Sequence, residues 1–141
     1  MKEKTFYFVI CLFLLAETAC SSDNNGNPFI GQWQIVGIEE EDGITDYLYG
    51  NQIVNFSLNG LYSTESSKSV QKIIYSFNEQ ELYLYYDFEK RTDIYSYSFS
   101  DDGMTLRIMR TKRGVSTTIM YVVDSPDLLT GKMQVLKRIS Y

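Results

Sequence analysis

The chain has 141 residues, of which 44% are hydrophobic and 15% aromatic, and its formal net charge at pH 7 is −5. This length suits one domain, and an acidic balance without a Lys/Arg cluster argues against a nucleic-acid partner. The sequence contains no histidine, which excludes a Ser-His-Asp site, His-ligated zinc or haem, and the usual proton shuttle near neutral pH.

Residues 1–19 have the layout of a secretory signal. Lys2 and Lys4 form a positive start, and the 11 residues from Phe6 to Ala16 form an apolar run. That run is too short to cross a hydrocarbon core of about 30 Å as a stable helix. We therefore expect the export machinery to recognise this segment and remove it.

The segment LLAETAC, residues 14–20, resembles a bacterial lipobox, in which the cysteine is acylated, for example with palmitate, and becomes the new N-terminus. Glu17 stands where such boxes usually carry an apolar residue. Export without lipidation and a retained membrane helix are the alternatives, whereas a disulfide between Cys11 and Cys20 is the weakest because Cys11 leaves with the signal. The resemblance implies an outer-membrane lipoprotein, anchored through Cys20 and facing the periplasm or the cell surface.

These features divide the chain into a signal peptide (1–19), a lipid-anchored tether (20–28) and one domain (29–141). The tether contains SSDNNGN and has few apolar groups to bury, so we expect it to be flexible. The domain contains no cysteine, and its core must therefore hold it together without an internal disulfide.

From Phe29 onward, short runs rich in Val, Ile, Tyr, Phe and Thr alternate apolar and polar residues, which predicts β-strands. No stretch shows the 3.6-residue stripe of an amphipathic helix, and only residues 124–131 are compatible with a helical turn. We predict an all-β fold, an antiparallel up-and-down meander of about eight or nine strands closed into a barrel, because closure removes the sheet edges. A sandwich is the alternative. The predicted strands are residues 32–38, 53–58, 61–65, 70–77, 81–88, 93–100, 104–111, 115–123 and 132–139.

The hairpin between the predicted strands 53–58 and 61–65 contains Asn59-Gly60, a strong turn signal. Two registers compete there: a two-residue loop pairs Leu58 with Leu61, and a three-residue loop with Gly60 in a bulge pairs Phe56 with Tyr62. We prefer the second because it buries the aromatic rings together. Across the next three hairpins the alternation predicts the pairs Phe77–Leu82, Tyr86–Tyr95, Leu82–Phe99 and Phe99–Met104.

Tyrosine is the residue most in excess, with 12 in the chain. The strand alternation points five tyrosines into the barrel, and these are candidate ligand-lining residues: Tyr75, Tyr86, Tyr95, Tyr97 and Tyr121. Their rings fit either a filled core with hydroxyls at the barrel mouth, or a cup with aromatic walls that suits an amphipathic ligand. The outward residues Tyr83, Tyr85 and Met109 are candidates for a patch that contacts a partner.

Gly31-Gln32-Trp33 resembles the G-x-W opening of lipocalins, and residues 28–43 followed by 54–62 resemble the lipocalin-like domains of small bacterial lipoproteins, particularly those of Bacteroidetes. The resemblance continues through residues 97–110 and covers most of 29–140. It implies a barrel that takes a small apolar or amphipathic ligand. It also implies that Gly31, Trp33 and Arg138 close one end of the barrel, with Arg138 over the indole ring.

Carboxylates, tyrosines and lysines are the side chains that remain for chemistry. The acidic run 39–42 offers oxygen atoms to calcium, but it lacks the ligand spacing of a dedicated loop and is typical of a solvated turn. A glycosidase would need two carboxyl groups that face each other across a cleft, which spacing in sequence does not test. We therefore predict no metal, no cofactor and no enzymatic activity, and a protein that binds a small ligand. The alternative is a protein-interaction module with a filled core, such as an inhibitor or an accessory subunit of a surface complex.

Overall fold

The computed structural model describes residues 26–45, 52–65, 72–116 and 130–141. Over these residues the chain forms nine β-strands and no helix, and so contains no helix that is long and apolar enough to cross a membrane. The strands are β1 (Gly31–Glu40), β2 (Gly43–Thr45), β3 (Ile53–Phe56), β4 (Leu61–Thr64), β5 (Ile73–Phe77), β6 (Glu81–Tyr86), β7 (Arg91–Phe99), β8 (Thr105–Lys112) and β9 (Met133–Ser140).

The strands form one antiparallel sheet in which β3 to β9 pair in chain order. The first part of β1, Gly31 to Gln34, pairs with β3, and the opposite edge of β1 pairs with β9 from Gln32 to Glu39. This double pairing closes an eight-stranded barrel, and β2 is an extra strand on the last residues of β1. The predicted fold class, an all-β antiparallel up-and-down barrel, is confirmed.

We call the end of the barrel where β1 begins, at Gly31, the lower end, and the end where β1 finishes, at Glu40, the upper end. Antiparallel pairing places the β3–β4, β5–β6 and β7–β8 turns at the lower end, together with the C-terminus of β9. The β4–β5, β6–β7 and β8–β9 connections start and finish at the upper end.

Two predicted registers are confirmed. Phe56 pairs with Tyr62, and the amide of Ser57 donates to the carbonyl of Leu61 at 2.9 Å, which leaves residues 58–60 as the loop. Gly60 adopts φ +80° in this loop, a conformation that only glycine reaches without a steric penalty from Cβ. The pair Phe77–Leu82 is also present in the β5–β6 hairpin.

The predicted register between β6 and β7 is wrong. Leu82 pairs with Tyr95 rather than with Phe99, and Tyr86 pairs with Arg91 rather than with Tyr95. The reason is an earlier turn at residues 87–90, where Lys90 adopts φ +49° and its ammonium group lies 2.8 Å from the Asp87 carboxylate.

This shift has an even number of residues, so the same faces of both strands still point inward. Asp93 consequently lies inside the barrel, opposite Leu84. Phe88, which the predicted register placed inside, lies in the turn and is 67% exposed.

The predicted register between β7 and β8 is also wrong, because Phe99 pairs with Leu106 rather than with Met104. The amide of Ser100 donates to the carbonyl of Thr105, and the amide of Thr105 donates to Oγ of Ser100, both at 2.9 Å. These bonds make residues 101–104 the loop, so Met104 lies outside the barrel and is 40% exposed.

Three further differences concern single elements. The strand β2 was not predicted. The predicted strand at 115–123 lies outside the described residues except for Val115 and Ser116, which are not in a strand, and β8 and β9 pair directly with each other. The predicted helical turn at 124–131 lies outside the described residues except for Thr130 and Gly131, where Thr130 forms an isolated bridge with Arg110.

Phe29 is the centre of the core in the lower half of the barrel. Its side chain is fully buried, and the indole nitrogen of Trp33 donates to its carbonyl at 2.8 Å. Its ring lies 4.8 to 5.3 Å, between centroids, from four other rings: Phe56, Phe77, Tyr97 and Phe99. Each such aromatic contact adds about 0.5–1.5 kcal/mol beyond area burial. Because Phe29 precedes β1, the segment that enters the barrel also fills its lower half.

Candidate ligand site in the upper barrel

Arg138 lies between two rings at the lower end of the barrel. Its guanidinium carbon is 4.1 Å from the centroid of the Trp33 ring and 4.3 Å from that of Tyr141. Its two terminal nitrogens donate to the carbonyls of Ile30 and Pro28, each at 2.6 Å. One side chain of the last strand therefore binds the segment that leads into the first strand.

Gly31 makes room for this arrangement. It adopts φ +126°, and a Cβ atom at this position would lie 2.3 Å from the carbonyl oxygen of Ser140 and 3.0 Å from a guanidinium nitrogen of Arg138. Gly31, Trp33 and Arg138 thus meet at the lower end, where the lipocalin resemblance implied a closed end. An open cleft of about 380 Å³ lies at this end, between residues 26–28 and the β7–β8 turn.

The five predicted ligand-lining tyrosines do not form one site. The hydroxyl of Tyr75 donates to the carbonyl of Ser57 at 2.8 Å and accepts from Asn27 at 2.9 Å, both in the lower half. The hydroxyl of Tyr97 donates to the carbonyl of Asn78 at 2.6 Å, also at the lower end. Of the remaining three, Tyr86 ends β6 opposite Arg91, Tyr95 pairs with Arg110 near the upper end of β8, and Tyr121 lies outside the described residues.

A carboxylate lies inside the upper half of the barrel. Asp93 is fully buried, and its two oxygens lie 3.3 Å from Nη1 of Arg110 and 3.2 Å from Nε of Arg91. The contact with Arg91 is ionic only, because this Nε is not aligned for a hydrogen bond. Asp93 also accepts a hydrogen bond from the amide of Gly114 at 3.0 Å. A buried carboxylate needs such compensation, which here comes from two guanidinium groups and one amide.

The charge balance around Asp93 is completed by Glu89. Its carboxylate lies 2.6 Å from Nη1 of Arg91, whose guanidinium carbon is 4.4 Å from the centroid of the Tyr86 ring. Two carboxylates and two guanidinium groups therefore form a neutral group, which we call the upper ion cluster: Glu89, Arg91, Asp93 and Arg110.

The upper ion cluster also fixes the two described ends of the β8–β9 connection. Asp93 binds the amide of Gly114 after β8. Nε of Arg110 donates to the hydroxyl of Thr130 at 3.1 Å, and the carbonyl of Arg110 accepts from the amide of Gly131 at 3.0 Å. Asp93 and Arg110 are thereby bonded to residues on both sides of the β8–β9 connection.

Three tyrosines accompany this cluster: Tyr62, Tyr86 and Tyr95. Burial raises the pKa of each phenol above its ordinary value of 10.0. The neighbouring phenol of Tyr86 adds to the rise in the pKa of Tyr62 and of Tyr95, which shows that the three hydroxyls are close enough to interact. All three phenols are therefore neutral at physiological pH, and each can donate and accept a hydrogen bond.

These tyrosines lie beside buried apolar side chains. Tyr95 is buried at 7% exposure, whereas Tyr62 and Tyr86 keep part of their surface accessible. Ile73 and Leu84, both buried, pair with Tyr86 and Asp93, respectively. Apolar walls with a few convergent polar groups are typical of small-molecule sites.

Tyr62, Asp93 and Arg110 were not among the predicted site residues, although the sequence carried a signal for each. Asp93 lies two residues before the inward Tyr95 in the same strand, and Arg110 lies two residues after the inward Ile108. Alternate residues of a strand point to the same face of the sheet. Tyr62 was predicted opposite an inward phenylalanine. Parity alone therefore placed all three inside the barrel.

The acidic run 39–42 is exposed: Glu39 and Glu40 end β1, and residues 41–42 form the turn to β2. Glu39 pairs with Arg107 on the outer wall, with Oε2 and Nε 3.0 Å apart. In the part of the chain that the structure describes, no group of three or more acidic, cysteine or histidine side chains is arranged to hold a metal ion.

No family model matches this chain, and a search of curated proteins gave no significant match.

Proposed function

We propose that this protein is a lipid-anchored binding protein of the bacterial cell envelope, with a lipocalin-like barrel that takes a small amphipathic ligand into its upper half. The observation that carries the proposal is the contrast between the two halves of the barrel. Aromatic rings around Phe29 fill the lower half, whereas the upper half combines apolar walls with neutral phenols and a compensated ion cluster.

The polar groups define the ligand that fits. The hydroxyls of Tyr62, Tyr86 and Tyr95 offer donors and acceptors to a hydroxyl, amide or carboxyl group of the ligand. The apolar part of the ligand would lie against Ile73 and Leu84. Because Phe29 fills the lower half, we expect a short ligand rather than a long chain that runs through the barrel.

The anchor is part of the proposal. The lipobox-like segment 14–20 supports lipidation of Cys20, and the lipocalin-like barrel that follows fits the small bacterial lipoproteins that the sequence resembles. The proposed location is the outer membrane, facing the periplasm or the cell surface. Replacing Cys20 with alanine should release the protein from the membrane fraction, and unchanged partitioning would refute the anchor.

A second candidate function is a protein-interaction module without a ligand. The dense packing of aromatic rings around Phe29 favours it, since these rings fill the interior of the lower half. The predicted outer patch gives it less support, because Tyr83 is only partly exposed and its hydroxyl is bonded to Glu81 and Asn78. The upper half of the barrel distinguishes the two candidates.

The test uses 1-anilinonaphthalene-8-sulfonate as a short amphipathic probe, with the mature, lipidated protein in mild detergent and a detergent-only blank. We expect the double variant Tyr62→Phe/Tyr95→Phe to bind the probe about 2- to 10-fold more weakly than the parent, because each hydroxyl contributes about 0.5–1.5 kcal/mol. Tyr83→Phe on the outer wall is the matched control and should bind like the parent. Absence of probe binding, or equal binding by the inner and outer variants, would reject the ligand site in favour of the interaction module.

A further inference from the structure

We infer that the lower end of the barrel rests on the membrane, and that an apolar rim at this end contacts a zwitterionic lipid bilayer. The inference rests on the proposed lipid anchor at Cys20. It adds an orientation, with the upper ion cluster facing away from the membrane, which anchoring alone does not specify.

Five large apolar side chains are exposed at the lower end. They come from the β3–β4 turn, the end of β5, the β7–β8 turn, the end of β9 and the residue after it, elements that meet only at this end. We call them the lower rim: Leu58 (65% exposed), Phe77 (36%), Met104 (40%), Ile139 (49%) and Tyr141 (65%). Apolar side chains around a common edge can enter the headgroup region of a bilayer to a depth of about 5–10 Å.

Exposure alone does not select this end, because Phe88 and Val115 are exposed at the upper end. The point at which the chain enters the barrel decides between them. The amide of Asn27 binds the hydroxyl of Tyr75 at 2.9 Å, and the carbonyl of Pro28 binds Arg138 at 2.6 Å. The chain is therefore fixed to the lower end from Asn27 onward.

The tether limits how far the lower end can move from the lipid anchor. Gly26 is the sixth residue after Cys20, so a fully extended chain keeps their α-carbons within about 22 Å of each other. The strand β1 continues from Gly31 to Glu40, and at about 3.3 Å per residue and a tilt of about 40° it places the upper end about 23 Å farther away. A lipidated Cys20 thus keeps the lower end within about 22 Å of the headgroups, so the inverted orientation would require a fully stretched tether, whereas the upright orientation leaves it relaxed.

The charges at the lower end select the type of lipid. Asp101 and Asp102 in the β7–β8 turn and Glu79 in the β5–β6 turn are exposed. Arg138 is buried between two rings, and the ammonium group of Lys137 binds the hydroxyl of Thr105 on the outer wall at 2.7 Å. Exposed carboxylates are repelled by anionic headgroups, so the lower rim fits a zwitterionic surface.

The test compares two single tryptophan probes in the mature, lipidated protein bound to phosphatidylcholine vesicles. Leu58→Trp places a probe on the lower rim, and Phe88→Trp places the matched control at the upper end, where the replaced side chain is exposed to a similar extent (67% against 65%). Trp33 is fully buried and supplies a common background. Vesicles with brominated acyl chains quench tryptophan only on contact. We expect quenching of the Leu58→Trp signal to exceed that of Phe88→Trp by about two-fold or more.

The outcomes separate the orientation from the anchor. Protein that floats with the vesicles but shows equal quenching at both positions, or stronger quenching at Phe88→Trp, overturns the orientation alone. Protein that does not float overturns the anchor and the orientation with it. Added phosphatidylglycerol should reduce quenching of Leu58→Trp, and an increase would overturn the choice of a zwitterionic surface.

Discussion

Replacing Asp93 with asparagine tests whether the upper ion cluster stabilises the barrel. The amide side chain keeps an oxygen for the amide of Gly114, but it removes the negative charge that lies 3.3 Å from Arg110 and 3.2 Å from Arg91. With an effective dielectric constant of about 20, a contact at this distance has a gross Coulomb energy of about 5 kcal/mol. Breaking a buried ion pair from one side lowers the free energy of unfolding by about 3–5 kcal/mol, which is the loss we expect.

Urea unfolding followed by the fluorescence of Trp33 measures this loss, since Trp33 is the only tryptophan and is fully buried. With slopes of about 1–3 kcal/mol per molar urea, the midpoint should fall by at least about 1 M. Asp101→Asn, in an exposed turn, is the matched control, and we expect its stability to stay within about 0.5 kcal/mol of the parent.

A loss below about 1 kcal/mol for Asp93→Asn would refute the reasoning, because the two guanidinium groups would then be accommodated without their shared carboxylate. A double-mutant cycle adds a second criterion. Asp93 and Arg110 are in contact, so the double variant with Arg110→Gln should lose less than the sum of the single variants, with a coupling energy of about 0.5–3 kcal/mol.

Three further predictions concern the lower end, the β8–β9 connection and the buried phenols. Arg138→Met removes two ring contacts and three hydrogen bonds and should lower the free energy of unfolding in urea by about 2–4 kcal/mol, with partial recovery in Arg138→Lys; parent-like stability would contradict it. In Gly114→Ala the new Cβ would lie 2.3 Å from the carbonyl of Thr92, so thermal unfolding should show a loss of about 1–3 kcal/mol, and an unchanged midpoint would disprove the close contact. Burial raises the folded-state pKa of Tyr62 and Tyr95, so these phenols deprotonate first in the unfolded chain. The free energy of unfolding is therefore at its full value below the unfolded pKa near pH 10 and falls at higher pH. The expected fall is up to about 1.4 kcal/mol per pH unit for each tyrosine. Urea midpoints between pH 9 and 11.5 should decline less steeply for Tyr95→Phe than for the parent, and equal slopes would count against this account.

The sequence predicted the architecture because each strand has one face that must be buried. The hairpin at Phe56–Tyr62 was also predictable, since Asn59-Gly60 specifies the turn chemistry. The β6–β7 register was not, because an even shift keeps the same apolar face inside and the hydrophobic pattern does not distinguish the two alternatives. The distinguishing residue is Lys90, whose positive φ and ion pair with Asp87 close the turn at residues 87–90.

The candidate site was predictable only in part for a related reason. Strand parity tells which side of the sheet a residue faces, but it does not tell the height of that residue along the barrel. Tyr75 and Tyr97 face inward as predicted, yet they lie at the height that Phe29 fills. Phe29 precedes the first strand, so no strand periodicity indicated that it enters the core.

The Arg138 contacts bear on how the domain carries mechanical load. A pull on the N-terminal segment reaches Pro28 and Ile30, which Arg138 fastens to the last strand, before it reaches β1. The force then runs along β1, whose two edges are bonded to β3 and β9. The hydrogen bonds that join β1 to β3 and β9 are then loaded in shear, together rather than one at a time. Tension on the tether is therefore shared by both neighbouring strands before either of them separates from β1.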